Sequence, residues 1–150
     1  MKSALAPFER AASDGSAPFA IQHDLQGMMQ DLVGIVRDES HMKRALEAID
    51  KLKERLRRVA VSGNREYNPG WHTAIDLRNQ LTVSEAITRA AIERKESRGA
   101  QFREDYPEKD PAAAKFNVVV RRAAGDRMEL GRRAIPTLPP ELAQIIEEMK

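Results

Sequence analysis

The 150-residue sequence contains no cysteine. That excludes a disulfide framework, a thiolate nucleophile and a sulfur-ligated iron cluster from this chain. Aromatic residues are scarce, with one Trp, two Tyr and four Phe, so the core has to be built from aliphatic side chains. No apolar run approaches the roughly 18 residues that span a bilayer. The stretch Met1–Pro7 lacks the apolar segment of a secretory signal. Eight glycines are scattered along the chain, and none belongs to a phosphate-cradling loop or a Gly-x-Ser-x-Gly elbow. His23, His41 and His72 fall on three separate elements, so no two of them share a helix turn as metal ligands would. The 25 Lys and Arg face 23 Asp and Glu, for a net charge of +2. A balance that close lacks the concentrated positive field used to bind nucleic acid.

What is present is helical patterning. The sequence is 41% apolar and 32% charged, the mixture expected of amphipathic helices with solvated outer faces. Residues 1–17, rich in Ala, Ser, Gly and Pro, read as a loose arm or linker. Ile21, Leu25, Met28, Met29, Leu32, Val33 and Val36 then mark a first helix from Pro18 to about Val36. The two methionines read as adaptable core filler. Met42, Ala45, Leu46, Ile49, Leu52, Leu56 and Val59 mark a second helix, with Ser40 expected as its N-cap. Arg55, Arg57 and Arg58 gather at its end, where they complement the negative pole of the helix dipole. Asn68 and Pro69 read as N-cap and first residue of a third helix running to about Lys95, with Gly99 placed to end it. Trp71 and Tyr67, near its start, read as packing residues rather than interface anchors.

Three such stripes predict an antiparallel three-helix bundle over 18–99. A charged loop over 100–116 follows. Asn117–Arg122 and Arg127–Gly131, separated by Ala123–Asp126, then predict a β-hairpin within 117–135. A tail over 136–150 ends in a short helix from Glu141 to Met149. The fold class is thus mainly α, a three-helix bundle followed by a hairpin and a C-terminal helix. A lone hairpin is marginal in water, so it needs another surface. The sequence offers no catalytic, cofactor-binding or metal-binding residue. Its candidate functional residues are Arg98, Arg103, Glu104 and Asp105, read as docking residues: the arginine forks pair with carboxylates on another domain. The competing reading is an ion-pair network that stiffens the turn after the third helix.

The order of segments resembles a known family. Asp31-Leu-Val-Gly-Ile-Val-Arg37, Gly63-Asn-Arg-Glu-Tyr-Asn-Pro-Gly-Trp71, Asp76-Leu-Arg-Asn-Gln-Leu81 and above all Glu96-Ser-Arg-Gly-Ala-Gln-Phe-Arg-Glu-Asp-Tyr-Pro107 resemble the C-terminal domain of succinate dehydrogenase and fumarate reductase flavoprotein subunits. The resemblance covers about residues 17–140. Gln101 departs from the histidine common in the family, which weakens any proton-transfer role there. The resemblance implies a parent enzyme that uses FAD to interconvert succinate and fumarate, with the flavin and substrate residues on preceding domains and none on this piece. It implies the flavin-binding domain of the same polypeptide and an iron–sulfur subunit as partners. It also implies a cytoplasmic location at the inner face of the plasma membrane through partner subunits, without direct membrane insertion. Neither flavin nor nucleic acid is expected to bind this piece alone, and a second copy of the chain is expected to substitute for the missing partner in a crystal. L-Aspartate oxidases carry a similar bundle and Ser-Arg-Gly loop, and the hairpin favours the dehydrogenase/reductase branch. The rival outside this family is a freestanding helical adaptor or nucleic-acid-binding domain using its arginine clusters. A self-contained enzyme is the weakest alternative.

Overall fold

A computed structural model describes residues 2–10 and 17–149. Three helices, α2 (Pro18–Val33), α3 (Glu39–Leu56) and α4 (Pro69–Glu93), each pack on the other two. Ile21 and Leu25 from α2, Ile49 and Leu52 from α3, and Ala74, Leu77 and Leu81 from α4 form the shared core, closed at one end by Val59. Each large aliphatic side chain buried there contributes about 2 kcal/mol by transfer from water. Met28 and Met29 are partly buried against this cluster, as filler would be. Between α3 and α4, the buried Glu85 accepts from Lys53 at 2.5 Å and from Arg89 at 2.7 Å. Burial pushes its carboxyl up, but the two cations outweigh that and hold it below the ordinary value.

The helix ends differ from the sequence expectations, for local reasons. α2 stops at Val33 because Gly34 turns extended; a Cβ there would lie 2.7 Å from the Gln30 carbonyl oxygen. The freed residues Val36–Arg37 form a short strand, β1. The N-cap of α3 is Asp38 and not Ser40. Asp38 accepts from the His41 amide at 2.9 Å and from the Ser40 hydroxyl at 2.6 Å. With these two donors its carboxyl is lowered to about 2. Asn68 caps α4 as expected, accepting from the Trp71 amide at 3.0 Å, while its own amide donates to the Ser62 and Asn64 carbonyls. Gly99 does have a left-handed backbone, with φ +61°, but it does not end α4. The helix stops at Glu93, and Gly99 turns the chain later, between Arg98 and Gln101.

Residues 2–10, expected to be loose, are packed. After a single turn, α1 (Lys2–Leu5), and a 3₁₀ turn, Pro7 is buried and its carbonyl accepts from the Val61 amide at 2.9 Å. The indole of Trp71 donates to the Ala4 carbonyl at 2.7 Å, and Arg10 donates to the Val59 carbonyl. The arm thus satisfies polar groups that the bundle end leaves open. Residues 11–16, the rest of that segment, lie outside the described residues. Trp71 is half-buried, whereas Tyr67 is 96% exposed.

The hairpin comprises β3 (Phe116–Arg122) and β4 (Met128–Ala134), paired antiparallel from Phe116 opposite Ala134 to Arg122 opposite Met128. Gly125, at φ +70°, makes the turn. The surface it needs is the end of α4. Arg132 donates to Glu93 at 2.8 and 3.0 Å and lies over the Phe116 ring, 4.6 Å from its centroid. A last helix, α5 (Pro140–Glu148), follows a proline-rich connection.

Candidate functional site

The candidate loop is built at the C-terminal end of α4. A helix leaves its last carbonyls without partners. Here a side chain from the following loop supplies them. Arg103 is fully buried, and its Nη1 donates to the carbonyls of Ala91 at 2.9 Å, Ile92 at 3.3 Å and Arg94 at 3.2 Å. Its Nε and Nη2 donate to the two carboxylate oxygens of Asp105, each at 2.7 Å. One guanidinium therefore caps α4 with a full charge at the negative pole of the helix and is neutralised by a bidentate acid. The Asp105 bond raises the Arg103 pKa above its ordinary value and lowers that of Asp105. Asp105 also accepts from the Glu39 amide at 3.0 Å, so a single carboxylate joins the end of α4 to the start of α3.

A second buried charge lies beside it. Glu96 is fully buried and accepts from Arg94 at 2.8 Å, from Arg98 at 3.0 and 3.1 Å, and from the Asp110 amide at 3.0 Å. The Arg98 bond is the largest cause of its lowered pKa. Ser97 locks the turn: its hydroxyl accepts from the Arg103 amide and donates to the Tyr106 carbonyl, both at 2.8 Å. β2 (Phe102–Arg103) pairs in parallel with β1, through Phe102 amide to Ile35 carbonyl at 3.0 Å and Glu104 amide to Arg37 carbonyl at 2.9 Å. Gln101 accepts from Arg37 at 3.0 Å and donates to the Arg94 and Glu96 carbonyls. An amide side chain accepts and donates at once, so Gln101 has a structural task here.

Of the four candidate residues, Arg103 and Asp105 are thus brought together within the domain. Arg98 is 35% exposed and tied to Glu96 and to the Asp110 carbonyl. Glu104 is exposed. Sequence reasoning missed Glu96, Arg94, Arg37 and Asp38. A readable signal existed for the first two: Arg94, Glu96 and Arg98 alternate in sign just past a helix end, a spacing that lets one carboxylate collect both cations.

The loop has an apolar outer face. Ile35, Val36 and Phe102 are 67%, 57% and 44% exposed and adjoin one another through the β1–β2 pairing. An open depression of ≈ 470 Å³ is lined by Arg98, Gly99, Phe102, Pro107 and Lys109, among others. Among the described residues there is no group of three or more His, Cys, Asp and Glu that would hold a metal, and no helix long and apolar enough to cross a membrane.

The lowered carboxyls make the fold acid-sensitive. A carboxyl held below its unfolded value stabilises the fold above that value, and the contribution is lost as pH falls through the folded value. Unfolded Asp and Glu titrate near about 4, and Asp38 is held at about 2. The melting temperature is expected to be flat from pH 8 to about 5 and to fall progressively from about pH 4 toward 2. Circular dichroism against pH reads it; a melting temperature still flat at pH 3 contradicts it.

The class of protein defined so far is a mainly helical domain with a buried ion-pair loop and a hairpin packed on the end of its longest helix. The family model described as the fumarate reductase flavoprotein C-terminal domain matches residues 22–142, and the chain belongs to that family. It is similar to the fumarate reductase flavoprotein subunit of Haemophilus influenzae, 41% identical over 91 residues, 60% of this chain and 15% of that protein. The succinate dehydrogenase flavoprotein subunit of Coxiella burnetii is 38% identical over 96 residues, 63% of this chain and 16% of that protein. An L-aspartate oxidase of Yersinia pestis is 38% identical over 86 residues, 57% of this chain and 15% of that protein. Among solved structures, a chain of Mycobacterium smegmatis Sdh1 in complex with UQ1 superposes with a TM-score of 0.86 at 38% identity, covering 97% of this chain and 25% of that one. The chain thus spans about a sixth of the curated relatives it matches.

Proposed function

We propose that this chain is the docking scaffold of an FAD-dependent succinate/fumarate oxidoreductase, whose flavin and substrate residues lie on domains outside it. The observation that carries this reading is the outer face of the charged loop. Ile35, Val36 and Phe102 stay exposed, although Arg103, next to Phe102 on the same strand, and Glu96 of the same loop are fully buried. An apolar patch in the same loop as the charges of Arg98 and Glu104 has the make-up of an interface core with a polar rim. Its partner is the flavin-binding domain of the same polypeptide. Arg98 and Glu104 are the docking charges, and Arg103 with Asp105 hold the loop in shape. An iron–sulfur subunit takes the electrons from the flavin, and partner subunits place the enzyme at the cytoplasmic face of the plasma membrane.

In the full-length flavoprotein, Arg98→Ala is expected to lower flavin retention and to open the domain junction to protease, by roughly tenfold for a charge at a rim that is partly desolvated. Because Arg98 also supports Glu96, Glu104→Lys is the companion variant: it leaves the buried network whole. Unchanged flavin content and protease resistance in both variants would reject docking through this loop.

The relatives named as fumarate reductase and L-aspartate oxidase match this chain with similar identity. The family match runs on through the hairpin to residue 142, which favours the dehydrogenase/reductase branch. Against a nucleic-acid adaptor stands the use of the cations: Arg55 pairs with Asp24, Arg57 with Glu54 and Arg132 with Glu93.

A further inference from the structure

Arg37, at the end of β1, has no carboxylate partner among the described residues. Its Nε donates to the Gly34 carbonyl and its Nη1 to Gln101 Oε1, at 3.0 Å. Both acceptors are neutral, and Nη2 bonds to no described residue. Among the described residues no buried side-chain polar atom lacks a partner, so Nη2 is open to solvent. The neighbouring cations differ: Arg94 and Arg98 pair with Glu96, and Arg103 pairs with Asp105. Burial and the Arg103 charge push the Arg37 guanidinium below its ordinary value, with no acid opposing them.

Arg37 stands in the wall of an open depression of ≈ 450 Å³. Ile87 and Ala90 of α4 and Val118 of β3 supply apolar wall beside it. Ile87 is 45% exposed, and Val83, one turn earlier on α4, is 57% exposed. The depression's other cation, Arg94, is already committed to Glu96 and to the Ala113 carbonyl. A half-buried cation with a free N–H beside exposed apolar surface suits a carboxylate carried on an apolar segment. Covering the apolar wall excludes water, and a charge-assisted bond strengthens when water is excluded.

We propose that Arg37 receives an aspartate or glutamate side chain of the flavin-binding domain, with an apolar neighbour of that acid covering Ile87 and Val118. The inference rests on the docking reading above and extends it to a second contact. Two observations assign the occupant. The chain covers 25% of the solved chain on which it superposes, so most of such a polypeptide lies outside it. The depression also shares its strand pair with the apolar patch: Arg37 follows Val36 in β1, and Gln101, bonded to Arg37, precedes Phe102 in β2. A free small anion would gain a single charge-assisted bond here and lose its own mobility. A side chain delivered by a docked domain has already lost most of that mobility.

The test uses Arg37→Lys in the full-length flavoprotein. Zero-length carbodiimide treatment joins the introduced amine to a carboxylate in contact with it, and peptide mapping names the partner. The expected product links position 37 to an aspartate or glutamate of the flavin-binding domain. A link to an acid of the helical domain, to another subunit or to a second copy would overturn the proposal, and so would no link. Arg37→Glu in the same protein is the second measurement. It is expected to speed protease cleavage at the domain junction roughly tenfold, as like charges meet, and an unchanged cleavage rate would overturn the proposal too. The two readings fail separately. The expected link with silent Arg98 and Glu104 variants keeps this contact and rejects docking through the charged loop. Responsive Arg98 and Glu104 variants without the link reject this contact alone.

Discussion

Replacing Arg103 by alanine is expected to destabilise the domain by about 3–5 kcal/mol, the usual cost of removing one member of a buried charge pair. For a chain of this length that is a fall in melting temperature of roughly 6–20 °C. The loss has two parts. Asp105 is left without its bidentate partner, and the carbonyls of Ala91, Ile92 and Arg94 lose their donor. Arg103→Lys should recover little. An ammonium reaches the carboxylate or the helix end, but it cannot span both in the plane that the guanidinium fills. Thermal and urea unfolding read the effect. An Arg103→Ala protein within 1 kcal/mol of the parent, taken as a rough threshold, would mean that the helix end and Asp105 find other partners.

Glu96→Ala should be the next most damaging change. It leaves Arg94 and Arg98 facing one another and removes the acceptor of the Asp110 amide. The expected cost is smaller, about 2–3 kcal/mol, because both arginines are partly exposed and can turn to water. The damage should also spread. Arg94 donates to the Ala113 carbonyl and lies over the Phe116 ring, 5.9 Å from its centroid. Losing its carboxylate should therefore loosen the start of the hairpin. Amide hydrogen exchange should rise at residues 97–118 while the core of α2 and α3 stays protected. Glu96→Gln keeps an acceptor for the Asp110 amide and should lose about half as much. It should also soften the acid transition between about pH 4 and 2, since one depressed carboxyl is gone.

The bundle was readable in the sequence because its information is periodic. Ile21 and Leu25, Ile49 and Leu52, and Leu77 and Leu81 each recur at helical spacing, and all six enter one core. Asn68 before Pro69 marked the start of α4 correctly. The ends of α2 and α4 were less readable because long-range partners decide them. Gly34 breaks the first pattern by a close backbone approach that no spacing reveals. The end of α4 is set by Arg103, ten residues beyond it in sequence. The candidate site divides the same way. Arg98, Arg103, Glu104 and Asp105 were visible as a dense charged stretch, yet which of them is buried depends on β1, more than 60 residues earlier, pairing with β2. Serine is a common helix cap, so the sequence points to Ser40. Asp38 takes that position because its carboxylate collects both Ser40 and the His41 amide.

The family membership makes the resemblance concrete, and the geometry explains why the Glu96–Pro107 stretch carries it: nearly every polar group there is committed to a neighbour. Under the proposed docking reading such a stretch holds the loop in shape, and the flavin is bound by other domains. Titration of FAD into the isolated chain, followed by flavin fluorescence, tests that most directly. No saturable change up to millimolar chain is expected. Saturable binding at micromolar concentration would contradict the scaffold reading and place a flavin site on this domain.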